Sequence, residues 1–248
     1  MSDTPALPHG RPFVRGMFVL AGSIVLAALI GTCGLIKLRS AGDEIEVTGS
    51  ARRRVDSDLV VWKLAVTSTR PTLADALRNV TAQGARVAEF LKRERVDDKA
   101  VDIKPLVTST IAERVNSEET GRTAAYRVTQ AFEVSSRDLA VVVAATQHIG
   151  NLLGQGVAVD ADAPQFLYAK LPEMRVSLLA DAVKDARSRA DQIAAAAGAS
   201  VGRVKSVKVG VFQVTKPNST DVSDYGTYDT GSRDKDVTAV VRVTFAFK

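Results

Sequence analysis

The chain has 248 residues, with 33 lysines and arginines against 28 aspartates and glutamates, a formal net charge of +5 and a pI near 9.4. Hydrophobic residues make up 46% and charged residues 25%, a globular balance that excludes disorder as the state of the body of the chain and leaves room for one substantial core. Basic and acidic residues are interleaved almost everywhere, which reads as a solvated surface and not as a nucleic-acid groove.

Residues 1–15 form a tail, and residues 16–36, GMFVLAGSIVLAALIGTCGLI, contain no charged side chain. A helix of about twenty apolar residues is long enough to cross the hydrocarbon core of a bilayer. The run exceeds the apolar region of a cleaved signal and leaves into Lys37-Leu38-Arg39, where Arg39 occupies a position that a cleavage site would fill with a small residue. The expectation is therefore an uncleaved single-pass anchor, with the bilayer as a partner. Basic residues flank it on both sides, Arg11 and Arg15 before, Lys37 and Arg39 after. Charge counting leans towards an inward-facing domain, although long folded domains are often translocated despite such a bias. The single cysteine, Cys33, lies inside the run. It permits neither an intramolecular disulfide nor a cysteine-based zinc site within one chain, and Thr32 before it departs from a lipoprotein processing box.

After a linker at 37–43, residues 44–248 read as one α+β domain. Residues 45–48 alternate, and Arg52-Arg53-Arg54 follow; such a triplet suits a lipid headgroup or a phosphate, and equally a turn between two strands, which is the reading taken. Residues 59–67 place Trp62, Leu64 and Val66 on one strand face, with Val61 and Ala65 on the other. Thr72 and Asp75 have capping-box spacing, and Leu73, Leu77, Val80, Gly84, Val87 and Leu91 predict a helix ending near Arg95. Strand signals around Pro105 lead to a hairpin turn at 116–121 and a return strand with Tyr126, Val128, Gln130, Phe132 and Val134 on one face. A short helix capped by Ser136 follows, with Leu139, Val142, Val143, Thr146 and Ile149 as its stripe, then a Gly-containing connection at 150–156.

The longest helix starts near Pro172 and ends at Gly198, its stripe running Val176, Leu179, Val183, Ala186, Ala190, Ile193 and Ala197. Ala186, Ala190 and Ala194 would let it lie close to a neighbour. Strands at 204–214 and 237–247 enclose a polar loop at 216–235, whose four aspartates lack the spacing of a calcium loop and whose composition suits a mobile hairpin tip. Strand-helix-strand-strand thus recurs, over 59–134 and over 157–247 with Val157-Val159 as the second unit's first strand, giving two related lobes with an antiparallel or mixed sheet and a long Ala-rich helix.

No constellation announces a reaction. His9 and His148 are the two histidines, too few for a multi-histidine metal site. The carboxylate pairs Asp56/Asp58, Asp97/Asp98 and Glu118/Glu119 fall at predicted turns, where solvation explains them. The segment 150–156 lacks the Lys-Ser/Thr ending of a phosphate loop. No catalytic, cofactor-binding or metal-ligating residue is assigned, and no enzyme or cofactor is expected.

Ile45-x-Val47-Thr48-Gly49-x-Ala51 followed by Asp58 resembles the opening of the SIMPL domain family. Gly121-Arg122 through Tyr126-Arg127-Val128 to Val134-x-x-Arg137-Asp138-Leu139 resembles its central strand and the start of the next helix. Leu179-x-x-Ala182-Val183-x-Asp185-Ala186-Arg187-x-Arg189-Ala190-x-x-Ile193-Ala194 resembles its Ala-rich helix, and Gly198-x-x-x-Gly202-x-Val204 that helix's exit. Ser57, where a proline commonly precedes the aspartate, Arg189 in place of a common lysine, and the loop after Pro217 depart from the pattern.

The resemblance implies a bacterial, exported or envelope-anchored α+β protein. Members of the family have been associated with oxidative-stress tolerance, at least one resembles a ring-forming, channel-like periplasmic oligomer, and no catalytic residue set comes with the family. The expected function is that of a membrane-anchored, non-enzymatic envelope protein that self-associates, linked to oxidative or envelope stress, single-pass in the inner membrane with its domain facing the periplasm or cell exterior. The alternative is a monomeric periplasmic binding module for a small ligand or partner protein. A hydrolase acting through carboxylates alone would need a buried, perturbed acid.

Overall fold

The computed structural model describes residues 44–247 apart from 117, 221 and 222. The anchor expected at 16–36 and Cys33 lie outside the described residues. Among the described residues no helix is long and apolar enough to cross a membrane. In chain order the elements are β1 (Glu44–Asp56), β2 (Leu59–Arg70), α1 (Leu73–Arg93), β3 (Val101–Ile103), β4 (Val107–Val115), β5 (Glu118–Ser136), α2 (Leu139–His148), α3 (Gly150–Gly154), β6 (Val159–Ala161), β7 (Gln165–Leu167), α4 (Leu171–Ala196), β8 (Val201–Val209), β9 (Gln213–Thr215), β10 (Thr227–Tyr228) and β11 (Asp234–Phe247). This is a mixed α+β fold with two sheets, one ordered β1-β11-β9-β10 with β8 also on β11, the other β3-β5-β2-β6 with β4 also on β5 and β7 also on β2.

The chain forms two compact units, the larger from 50–185 and 209–241, the smaller, among the described residues, from 44–49, 186–208 and 242–247. The larger unit is organised by the alternation in β2 and β5. These strands pair antiparallel from Val60↔Ser136 to Arg70↔Tyr126, so Val60, Trp62, Leu64 and Val66 share a buried face with Val128, Phe132 and Val134. Thr72 caps α1, accepting the Asp75 N–H, and the Thr72 hydroxyl bonds back to the Asp75 carboxylate. That bond, joined by Arg78 and outweighing a smaller desolvation effect, holds Asp75 below the usual carboxylate range. The helix buries Ala76, Val80, Gly84, Val87, Phe90 and Leu91, a stripe turned slightly from the expected one, with Leu73 left exposed.

Several expectations are corrected. Arg52, Arg53 and Arg54 lie inside β1 and not in a turn. Asp138 caps α2 by accepting the Val141 N–H at 3.2 Å, while Ser136 accepts from Asp138 one step earlier. The connection expected at 150–156 contains α3, whose Leu152 is fully buried. The strand expected at 157–159 is β6, shifted two residues on, and β7, three residues long, is too short to give a period; both add antiparallel to β2. The strand expected over 204–214 is two strands broken near Gly210, whose N–H bonds Val240 O at 2.9 Å. A second core of the larger unit joins Val55, Leu171, Met174, Leu178, Val214, Val237 and Ala239.

Ala186 and Ala190 of the expected stripe of α4 are buried, while Val176 is 72% and Ile193 51% exposed. The buried positions are Leu171, Met174, Leu178, Ala182, Ala186, Ala190 and Ala194, four residues apart from Met174 on, with alanines alone facing inward over the C-terminal half. Gly198 closes the helix with φ +72, the left-handed geometry that favours glycine.

In the smaller unit Ile45, Val47, Ala186, Ala190, Ala194, Val201, Val243 and Phe245 are buried. Arg187 lies over the Phe245 ring at 5.4 Å and donates to Gly202 O at 3.1 Å and Val201 O at 3.2 Å. A Cβ on Gly202 would sit 2.9 Å from the backbone oxygen of Ala246. Gly202→Ala must therefore shift backbone, and we expect it to cost about 1–3 kcal/mol, read as a lower urea midpoint; an unchanged midpoint would show that this approach has slack.

Candidate functional site

The residues flagged for anion binding in the sequence prove to be occupied. Asp236 is buried, its side chain 4% exposed, and accepts from Arg54 Nε at 2.9 Å and Nη2 at 3.2 Å, with Arg52 at 4.0 Å. The Arg54 hydrogen bond, helped by the Asn218 N–H and by the nearby charges and opposed by burial, holds the Asp236 carboxyl below its ordinary range. The same bond raises Arg54. Arg53 donates to Asp181 at 3.0 Å and to Ser177 at 3.2 Å. The triplet thus ties β1 to neighbours within the larger unit, and its guanidinium groups are engaged by protein partners.

The loop expected to be a mobile tip over 216–235 carries a short strand, β10, parallel to β9. It ends at the fully buried Lys235, whose ammonium donates to Asp229 O and Ser232 O and sits 3.8 Å from the Asp229 carboxylate. Burial pushes Lys235 down, while Asp229 opposes the shift. Burial alone would raise Asp229, but the Ser232 hydroxyl, the Gly231 N–H and Lys235 outweigh it and leave the carboxyl lowered. A lone lysine in a polar run gave no sign of burial, because the carbonyls that satisfy it come from the loop's own path.

The other flagged side chains are not brought together. Asp97 accepts the Lys99 N–H and Glu119 pairs with Arg114 at 2.7 Å. His148, at the end of α2, meets Glu94 at 2.8 Å. Among the described residues no three histidine, cysteine or acidic side chains cluster to hold a metal.

Two features remain. The first is a two-stranded ribbon. Strand β2 stops at Arg70 opposite Tyr126, whereas β4 and β5 continue to pair from Ile111↔Ala125 out to Val115↔Glu118, with bulges around Ala112. Residues 118–125 of β5 have β4 on one edge and, among the described residues, no strand on the other. The outer edge of β4 is likewise unpaired among the described residues. Near the ribbon's base Ile103, Leu106 and Val107 are 51%, 42% and 66% exposed.

The second is a cleft of about 740 Å³ at the strand ends of the larger unit, lined by Ser57 and Asp58 from the β1–β2 corner, Arg137 and Asp138 from the β5–α2 corner, Lys170 before α4, and Arg233 before β11. Sequence reasoning assigned none of these residues a role, although Asp58, Arg137 and Asp138 lie in the segments that carry the family resemblance. Lys170 and Arg233 follow no pattern, since chain topology alone places them beside the other two corners.

Two antiparallel-rich sheets with helices packed on them define a protein of mixed α+β architecture. The chain belongs to the SIMPL family: its model, described as a protein of unknown function (DUF541), matches residues 45–245. No curated protein matches the chain.

Proposed function

We propose that this SIMPL-family chain is a membrane-tethered, non-enzymatic envelope protein that self-associates through the β4–β5 ribbon. The carrying observation is the ribbon's pair of unpaired edges. A two-stranded ribbon is marginal in water by itself, and free edges present rows of N–H and C=O groups that another strand can complete. A second copy offers the matching edges, and the ribbon's glutamates and arginines, Glu113, Arg114, Glu118, Glu119 and Arg122, are self-complementary in sign. Tethering rests on the uncharged run at 16–36, and a domain facing the periplasm or cell exterior, together with a role in envelope or oxidative stress, rests on family membership. A non-catalytic role is supported by the buried Asp236 and the half-buried Asp229, since both are held below the ordinary carboxylate range by partners and not raised as a general acid would be.

Light scattering coupled to size exclusion on residues 41–248 tests the proposal. The expected result is a discrete assembly, which collapses to monomer when residues 113–122 are replaced by a two-residue turn. A wild-type monomer overturns self-association by the domain and favours a tethered binding module, and an assembly that survives the truncation removes the ribbon from its interface.

A further inference from the structure

The cleft in the larger unit combines unspent positive charge with a fixed backbone. Its two carboxylates are committed to main-chain donors, Asp58 to the Ala169 N–H at 2.6 Å and Asp138 to the Val141 N–H at 3.2 Å. Neither pairs with a cation, and among the described residues the side chains of Arg137, Lys170 and Arg233 make no hydrogen bond or ion pair. The walls are tied together. The Ser57 N–H and hydroxyl both bond Arg233 O, at 2.9 and 2.7 Å, and the Asp58 N–H bonds Leu167 O at 3.0 Å. A smaller recess of about 480 Å³ shares Arg137 and adds Arg95 and Lys99, where Asp97 is again spent on a backbone N–H, that of Lys99, at 3.0 Å.

Surface arginines near carboxylates ordinarily pair with them; here Asp58 and Asp138 are held by main-chain donors, so Arg137, Lys170 and Arg233 line the cleft without an ion-pair partner and outnumber its two carboxylates. We propose that this cleft binds a small phosphate-bearing ligand, with Arg137 and Arg233 as forked donors and Lys170 as a point charge. Two guanidinium groups and an ammonium match a tetrahedral dianion. Of the nine lining residues three are apolar, Leu139, Ala140 and Ala169, and the other six offer polar or charged groups to a ligand. The site lies apart from the ribbon residues and is independent of the self-association reading.

Titration calorimetry of the full chain in detergent, with inorganic pyrophosphate as probe, tests this. Wild type is expected to bind saturably at one site per chain. Arg137→Ala/Arg233→Ala should weaken binding at least about tenfold, while Lys63→Ala/Lys92→Ala, which removes the same charge elsewhere in the unit, should change it by no more than about twofold. Absence of saturable binding, or equal weakening in both variants, overturns the proposal. Competition in the same detergent-solubilised chain with a water-soluble short-chain phosphatidylglycerol separates the sources of phosphate. Displacement of bound pyrophosphate by that lipid, lost in Arg137→Ala/Arg233→Ala, identifies a lipid headgroup in the cleft, whereas pyrophosphate binding that the lipid leaves unchanged identifies a free organophosphate; lipid binding in a chain that binds no pyrophosphate again overturns the proposal.

Discussion

Trp62→Ala is expected to destabilise the larger unit by about 3–5 kcal/mol, the largest loss from any single truncation in its sheet. The side chain is 1% exposed and packs in one buried cluster with Leu64, Phe90, Phe132 and Val134. It stands opposite Val134 in the β2–β5 ladder, and its indole N–H donates to Asp162 O at 3.0 Å, which fixes the chain just after β6 against β2. Truncation loses the ring's transfer free energy and leaves a cavity that a two-strand ladder cannot close by local collapse. Trp62→Phe separates the two contributions. It keeps most of the packing and loses the donor, with an expected cost of about 1–2 kcal/mol. Urea unfolding followed by circular dichroism reads both, and an alanine variant within about 1 kcal/mol of wild type would sink the assignment of Trp62 to the centre of the core.

What the sequence revealed follows from where the physics is local. Trp62, Leu64 and Val66 repeat every second residue and Thr72 stands three before Asp75, so β2 and the start of α1 could be read directly; the capping bond is present. The buried face of β11, Val237 to Phe245 at alternate positions, was equally legible. The buried side of α4 was legible at Ala186 and Ala190 and in the small residues that end at Ala194, and not at Val176 and Ile193. Ala182, Ala186, Ala190 and Ala194 are fully buried while Val176 and Ile193 point outward, as close helix packing favours small side chains. Strand β7 escaped because three residues carry no period, and β6 is shifted from the expected 157–159; both lie along the edge of β2. The cleft was the least legible feature. Arg137 has a motif around it, but nothing near Lys170 or Arg233 in the chain points to the other, and their convergence depends on hydrogen bonds between residues separated by more than a hundred positions, such as Ser57 to Arg233.

Asp236→Ala is expected to cost about 1–3 kcal/mol at neutral pH and to flatten the acid limb of the stability curve. The carboxylate is buried, and removing it leaves the Arg54 guanidinium and the Asn218 N–H without their acceptor. Arg54 is itself 55% exposed, so water re-solvates much of it and the loss stays below that of a fully enclosed pair. Because the folded-state pKa of Asp236 is depressed by Arg54, the native state binds fewer protons than the unfolded chain in the window below the unfolded aspartate value of about 3.9. Its stabilisation is therefore complete above that value and disappears as pH falls through the lower folded one. Thermal unfolding across this acid range should show wild type losing stability more steeply than Asp236→Ala, with the two curves converging at the lowest pH, and Asp236→Asn should follow the alanine variant in slope because it too lacks the titrating group. Parallel curves would mean that the Arg54 contact does not distinguish the folded from the unfolded carboxylate, and would return Arg52 and Arg54, though not the Asp181-paired Arg53, to consideration as free cations of β1.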